Sequence, residues 1–151
     1  MKGPASAVVL SGWWQRVGAT VVDNVLLFLP LYVAFVLVAD VAGNLAGAVV
    51  SFAIQGAYMV AFLTSESGQT IGNRVVATQV RDALTGAAIT RSQALRRWGV
   101  ISAYSVLNVV LPPSLAEIPV MLMLVDCLLP LFDTRKQTFH DKIAGTLVVR
   151  I

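Results

Sequence analysis

Four apolar runs alternate with polar segments along the 151-residue chain, and they predict its long helices. A run of about 20 residues is long enough to cross a hydrocarbon core of about 30 Å. The third run reaches that length only if its helix begins near Ser92, with Arg96 and Arg97 extending their side chains to the lipid headgroups. The pattern predicts an all-α membrane protein with four transmembrane helices, over residues 14–40, 44–64, 92–111 and 114–132. A re-entrant pair formed by runs three and four is the alternative.

The polar segments predict a small β-ribbon beside these helices. Val76, Thr78 and Val80 alternate with other residue types, which is the period of a strand. Residues 82–86 predict a turn and residues 87–90 a short returning strand, so that a ribbon covers residues 75–90. Residues 145–151 predict a closing strand that adds to it. We expect residues 1–12 to be a loose lead-in and residues 13–151 to be one transmembrane domain.

Composition agrees with the membrane class. The chain is 57% hydrophobic and 13% charged, whereas a soluble domain has about 25% charged residues. The net charge of +3 does not predict nucleic-acid binding, because the basic residues flank the apolar runs and do not form one continuous face. The first run is too long for the apolar core of a signal peptide, so we expect it to remain as a helix.

The positions of the basic residues predict the orientation in the membrane. The links between runs one and two and between runs three and four contain no Lys or Arg. With four spans, every basic residue falls on one side, which the positive-inside rule identifies as cytoplasmic. Both termini and the ribbon are then cytoplasmic, and the lipid bilayer is the first partner. The basic residues are Lys2, Arg16, Arg74, Arg81, Arg91, Arg96, Arg97, Arg135, Lys136, Lys142 and Arg150.

Two acids inside the apolar runs, Asp23 and Asp126, are the leading candidates for function. Burial of a charged carboxylate at such a depth costs free energy, so an acid retained there is a candidate for a functional role. Each acid lies roughly 10 Å inside the cytoplasmic boundary, and Arg16 is two helical turns from Asp23 on the same face. The first hypothesis is a proton- or sodium-linked site formed by Arg16, Asp23 and Asp126, because a proton or cation would relieve the repulsion between buried acids. The alternative is structural: Arg16 pairs with Asp23 and fixes the helix register, while Asp126 is capped or protonated.

Other motifs predict no chemistry. Residues 68–72 lack the lysine of a phosphate loop, and no HExxH, CxxC or serine-triad signature occurs. We therefore expect no enzymatic activity, no cofactor and no metal site. Gly43, Gly47 and Ser51 form a stripe of small residues that lets another helix approach closely. A second copy or another membrane protein could dock there.

Several segments taken together resemble the RDD family of small bacterial membrane proteins. Arg16 resembles the family arginine at the start of helix one, and Asp23 the aspartate within that helix. Residues 68–74 resemble the segment G-Q-T-x-G-[KR]-[KR], although Asn73 replaces a basic residue. Residues 93–97 resemble a Q-A-L-x-R element, and residues 133–146 resemble the closing pattern D-x-x-[RK]-[RQ]-x-x-H-D-[RK]-x-[AS]-G-T. The matching positions are Gly68, Gln69, Thr70, Gly72, Arg74, Arg97, Asp133, Arg135, His140, Asp141, Gly145 and Thr146.

The resemblance assigns the second aspartate of the family to Asp141, with Asp126 as the alternative. It implies a multi-pass protein of the bacterial cytoplasmic (inner) membrane. Roles suggested for the family include transport, with sodium–proton exchange for some members. The first functional expectation is thus a transporter of a small ion or ligand that uses intramembrane acids. Because four helices enclose little volume, such a transporter would assemble as an oligomer. The second expectation is a non-transporting accessory or regulatory subunit that packs on a partner through the small-residue stripe or the ribbon.

Overall fold

The computed structural model describes residues 9–151, so most of the predicted lead-in lies outside the described residues. Short 3₁₀ turns at Pro113–Leu115 and Leu129–Leu131 flank the fifth helix. The elements are α1 Trp13–Ala42, α2 Asn44–Leu63, α3 Ile71–Val75, β1 Thr78–Asp82, α4 Arg91–Val110, α5 Glu117–Leu128, α6 Phe139–Ala144 and β2 Thr146–Arg150.

Three segments of the described chain are long and apolar enough to cross a membrane: α1, α2 and Pro113–Leu131, which contains α5. The helix α4 has 20 residues but is absent from this group, because Arg91, Arg96 and Arg97 occupy its first two turns. The first three long helices begin and end close to their predicted bounds. The fourth is shorter than predicted and ends in a 3₁₀ turn at Pro130, since proline has no amide hydrogen to continue the α-helical pattern.

The two strands pair in antiparallel fashion, with Thr78 opposite Arg150 and Asp82 opposite Thr146. The predicted closing strand is present, but the predicted hairpin is wrong, because residues 87–90 form no strand. This segment instead leads directly into the next helix, α4. Ile89 is buried in the core beside β1, and Thr90 is the N-cap of α4, where its side chain accepts a hydrogen bond from the helix backbone. Side-chain capping competes with strand pairing for the same backbone.

The small-residue stripe of α2 packs within the chain. A Cβ atom at Gly47 would lie 2.7 Å from the carbonyl oxygen of Phe35, so only glycine lets α2 approach α1 this closely. Ser51 Oγ donates a hydrogen bond to the carbonyl oxygen of Leu31 at 3.2 Å. Gly43 forms the turn between the two helices, with a φ of +86°. The predicted docking face is therefore used by α1, at least at Gly47 and Ser51.

The two ends of the molecule differ in packing. A core of five side chains lies where α2 ends and α4 begins, beneath the two strands: Leu63, Val80, Ile89, Ala94 and Val148. Away from this polar end, α1 exposes large apolar side chains such as Phe28, Leu29 and Leu37. Lipid or a partner protein therefore has to cover this surface, while the polar end is organised by the chain itself.

Candidate functional site

A buried ion-pair cluster joins four elements at the polar end. Asp141 lies in α6 and its side chain has no exposed surface. Its Oδ2 accepts a hydrogen bond from Arg16 Nη1 of α1 at 2.6 Å, and its Oδ1 pairs with Arg97 Nη1 of α4. Thr146 Oγ1, on β2, donates to Oδ1 at 3.2 Å. Asp141 is positioned locally by the N-cap Thr138, whose side-chain oxygen accepts its amide hydrogen at 3.1 Å.

The partner of Arg16 differs from the one that helix periodicity suggests. Arg16 pairs with Asp141, 125 residues away, and Asp23 takes part in no ion pair within residues 9–151. Only some of the hydrogen-bond donors of the Arg16 guanidinium have acceptors in the described residues. Its Nε and Nη2 atoms are buried and have no hydrogen-bond partner in the described part of the chain.

Asp23 binds the short helix α3 to the membrane helices. Its Oδ1 accepts hydrogen bonds from Tyr58 Oη of α2 at 2.6 Å and from the amide of Gly72 at 2.8 Å. The same tyrosine oxygen accepts the amide hydrogen of Ile71 at 3.0 Å. A Cβ atom at Gly72 would overlap the carbonyl oxygen of Ala19, so glycine is required where α3 crosses α1.

Other residues of the family-like segment 68–74 shape the loop that precedes α3. Gly68 has a φ of +60°, and its carbonyl accepts the amide hydrogen of Val80 at 2.9 Å. The side-chain amide of Gln69 donates to a β1 carbonyl at 2.7 Å. Thr70 is the N-cap of α3. The guanidinium of Arg74 lies 5.7 Å from the centre of an aromatic ring at the end of α2. These contacts are structural, and they fix the position of the Gly72 amide at Asp23.

Asp126 has a different partner from the one predicted. Its Oδ2 lies 2.6 Å from His140 Nδ1, and its Oδ1 accepts the amide hydrogens of Phe139 at 2.5 Å and His140 at 3.3 Å. Burial and the nearby charge of Arg97 lower the pKa of His140 to about 4, against the opposing effect of Asp126. His140 is therefore neutral at pH 7. Because an ionised carboxylate only accepts hydrogen bonds, Nδ1 carries the proton.

The closing motif stabilises the link between α5 and α6. Asp133 pairs with Lys142 at 2.6 Å and accepts the amide hydrogens of Arg135 at 3.1 Å and Gln137 at 2.9 Å. The hydrogen bond from Lys142, followed by that from the Gln137 amide, holds the pKa of Asp133 below its usual value. The guanidinium of Arg135 donates to a carbonyl in the turn after β1 at 2.7 Å. Gly145 ends α6 with a φ of +66°, which glycine adopts readily.

A cavity of about 260 Å³ lies between these groups. Its wall includes Arg16, Asp23, Arg97 and His140, and most of the remaining surface is apolar. Two of the three predicted site residues, Arg16 and Asp23, therefore meet at one cavity. Asp126 is not in its wall and lies behind His140.

The charges of this region, which we call the polar-end cluster, do not sum to zero. It contains two arginines and three carboxylates (Arg16, Arg97, Asp23, Asp126 and Asp141), with a neutral His140, which leaves one excess negative charge. Within residues 9–151, no three His, Cys, Asp or Glu side chains are grouped as metal ligands would be. A single proton or monovalent cation would therefore balance the cluster.

Sequence reasoning missed two contributors to the site, Tyr58 and the amide of Gly72. A signal for Tyr58 was present. It lies five residues before the end of α2 at Leu63, which places its hydroxyl at about the depth of Asp23. The role of the Gly72 amide had no such signal, because residues 71–75 show no periodicity long enough to predict a helix.

Comparison with known proteins supports one assignment. The model of the RDD family matches residues 10–145, a range that includes Arg16, Asp23 and Asp141. Comparisons with curated proteins and with solved structures gave no match. The matched range covers most of the chain, and the apolar helices are those of a membrane protein. The chain belongs to the RDD family.

Proposed function

We propose that this RDD protein is a transporter of a small ion or ligand in the bacterial cytoplasmic membrane. In this proposal, Asp23 is the carboxylate that binds a proton or a cation. One observation carries it: Asp23 lines the cavity, yet no cation pairs with it in the described part of the chain. Its hydrogen-bond donors, Tyr58 and the Gly72 amide, both contact Oδ1. Its other oxygen is thus left for a transported species.

The other two acids have structural roles in this proposal. Asp141 holds α1, α4 and α6 together through Arg16 and Arg97. Asp126 orients His140 and the start of α6. Protonation of Asp141 would leave two buried arginines without their counter-charge, so Asp141 is not suited to repeated loading and release. Asp126 accepts hydrogen bonds from the ring of His140 and from two backbone amides, which favour its charged form.

The proposal includes four spans, with α4 as the additional one and both termini cytoplasmic. Arg97 is compensated by Asp141, so its charge is no obstacle to a boundary position. From Trp98 to Val110 the helix is mostly apolar and about 20 Å long. With an even number of spans, every Lys and Arg stays on one side, as the positive-inside rule requires. Three spans would divide the basic residues between the two sides.

Proton flux in vesicles tests the transporter. The purified protein is reconstituted in vesicles that contain a pH-sensitive dye. When a sodium or potassium gradient is imposed, we expect it to move protons across the membrane in exchange for that cation. Asp23→Asn is expected to abolish this flux, because the side-chain amide of asparagine neither takes up and releases a proton nor carries a charge. Asp40→Asn makes the same change near the exposed end of the same helix and should leave the flux intact. Equal flux from wild type and Asp23→Asn would exclude Asp23 as the carrier.

The second candidate is a non-transporting accessory subunit without enzymatic activity. The observation that favours it is the uncovered apolar surface of α1, where Phe28 and Tyr32 stack with ring centres 6.2 Å apart and both side chains are exposed. A partner helix could cover this surface as well as lipid does. Absence of flux from folded wild-type protein would favour this candidate over the transporter.

A further inference from the structure

We propose that the cavity at the polar end binds a small zwitterion with an apolar body, such as an apolar amino acid. In this proposal, Arg16 binds the carboxylate of the ligand and Asp23 binds its ammonium group. The inference deepens the proposed function, because it names the substrate class of the same site. The binding itself can be measured without any transport.

The free edge of Arg16 indicates the carboxylate. Nη1 is occupied by Asp141 at 2.6 Å, whereas Nε and Nη2 are buried without a partner in the described residues. Buried donors without partners are rare in folded proteins and call for an acceptor that the chain does not supply. Nε and Nη2 lie on one edge of the guanidinium plane. A carboxylate binds that edge with two parallel hydrogen bonds.

The free oxygen of Asp23 indicates the ammonium group. Both hydrogen bonds that Asp23 accepts go to Oδ1, and in residues 9–151 none goes to Oδ2. An ammonium group is a donor with a positive charge, so it satisfies this oxygen and the charge together. The Gly72 amide and Tyr58 hold the carboxylate in place from the opposite side. The carboxylate is therefore already oriented before a ligand arrives.

The walls of the cavity and its charge favour a zwitterion over a singly charged ligand. An anion alone would increase the excess negative charge of the polar-end cluster, and a cation alone would leave the free edge of Arg16 unsatisfied. A zwitterion satisfies both groups without changing the net charge. The lining is mostly apolar, with Val17, Met59 and Ile101 among its side chains. The volume of about 260 Å³ is near the lower end of the range for ligand pockets, which favours a small ligand.

Calorimetric titration of the purified 151-residue protein in detergent tests this inference with four probes. L-leucine and 6-aminohexanoate carry both charges at two different separations. N-acetyl-L-leucine carries only the carboxylate, and L-leucinamide only the ammonium group. We expect at least one zwitterion to bind ten-fold or more tightly than both singly charged probes. The inference is overturned if a singly charged probe binds as tightly as the better zwitterion, or if neither zwitterion binds.

Two variants separate the two contacts. Asp23→Asn is expected to weaken zwitterion binding at least ten-fold and to leave any binding of N-acetyl-L-leucine unchanged. Arg16→Lys keeps a positive charge beside Asp141 but lacks the edge with two parallel donors. It should therefore weaken the binding of both the zwitterion and N-acetyl-L-leucine. Asp40→Asn is the matched control and should bind as wild type does. If Arg16→Lys fails to fold, the four-probe comparison on wild type still decides.

Failure of this inference is distinguishable from failure of the proposed function. Proton flux from wild-type vesicles, with neither zwitterion bound, would overturn the inference and leave the transporter in place. Zwitterion binding without flux of protons or of the bound zwitterion, measured on the same preparation, would support the inference and overturn the transporter.

Discussion

Asp141 shows how a single residue can hold the polar end together. It has no exposed side-chain surface and contacts the guanidinium groups of Arg16 and Arg97. A buried carboxylate is tolerated here because two cations and the Thr146 hydroxyl compensate it. Without it, two positive charges would remain buried side by side. Removing one partner of a buried ion pair destabilises the fold by more free energy than the intact pair contributes, because the other charge stays buried without compensation.

The first prediction at this scale concerns the substitution Asp141→Asn. It is expected to lower the free energy of unfolding by about 3–5 kcal/mol, because the two arginines lose their counter-charge. Denaturant unfolding of the purified protein in detergent, followed by tryptophan fluorescence, measures the change. Asp133→Asn is the control, since Asp133 is in a partly exposed pair with Lys142 and its loss should change stability little. Equal effects of the two substitutions would contradict a central role for Asp141.

The second residue-scale prediction concerns His140 and pH. Its pKa is lowered from 6.5 to about 4 in the folded protein, mainly by burial and then by Arg97. The unfolded chain therefore binds more protons than the folded one between these values. Stability from the neutral histidine is fully present above pH 6.5 and is lost as the pH falls towards 4, by about 3 kcal/mol in total.

Unfolding measured at a series of pH values checks this expectation. His140→Asn keeps a hydrogen-bond donor but cannot titrate in this range, so its stability should fall much less between pH 6.5 and pH 4. If the variant and the wild type lose stability in parallel, His140 is not the group responsible.

At the scale of elements, α3 depends on its surroundings for its existence. A helix of five residues is too short to be stable alone. It is held by its N-cap Thr70 and by the contact of the Gly72 amide with Asp23. Its close approach to α1 leaves no space for a side chain at Gly72. The hydrogen bonds at Asp23 and the position of α3 therefore depend on each other.

The prediction at this scale compares two glycine substitutions. Gly72→Ala should destabilise the protein and lower the affinity of any ligand at Asp23, because α3 has to move away from Ala19. Gly99→Ala is the control, since no atom of a neighbouring described element lies within 4 Å of its Cβ position and alanine is the better helix former. Thermal unfolding in detergent measures both. A Gly72→Ala protein as stable as Gly99→Ala would contradict the close packing of α3 on α1.

At the scale of the whole molecule, the number of spans is decided by whether α4 crosses the membrane. In a Cys127→Ser background, a single cysteine is placed at Ser114, between α4 and α5, or at Thr134, after α5. Both positions are exposed. A membrane-impermeant maleimide should label Ser114→Cys in intact cells, and Thr134→Cys only after the membrane is opened. Asn44→Cys, at the start of α2 directly after the turn, is the positive control for the outer face.

The opposite result identifies the alternative topology. If Ser114→Cys is protected in intact cells as Thr134→Cys is, α4 and α5 form a re-entrant pair. The basic residues remain on one side in that arrangement as well, so labelling at Ser114 distinguishes the two topologies where charge does not.

The sequence by itself determined the features that depend on local composition. Apolar runs gave the bounds of α1 and α2 closely, because a long apolar segment has few alternatives to a membrane helix. Alternating residues indicated the strand that became β1, and residues 145–151 were predicted as the closing strand that pairs with it. The resemblance of several short motifs gave the family, which the match over residues 10–145 confirms. Asp23 stood out because a carboxylate in an apolar run is unusual.

Only the tertiary structure decided which groups meet. Arg16 has Asp23 on its own helix face, yet its partner is Asp141 of α6. Residues 87–90 were expected to pair as a returning strand, yet Ile89 packs in the core instead. The physical reason is the same in each case. Helix formation, capping and lipid burial depend on neighbours in sequence, whereas ion pairs and core contacts depend on which groups the packed helices bring within a few ångströms.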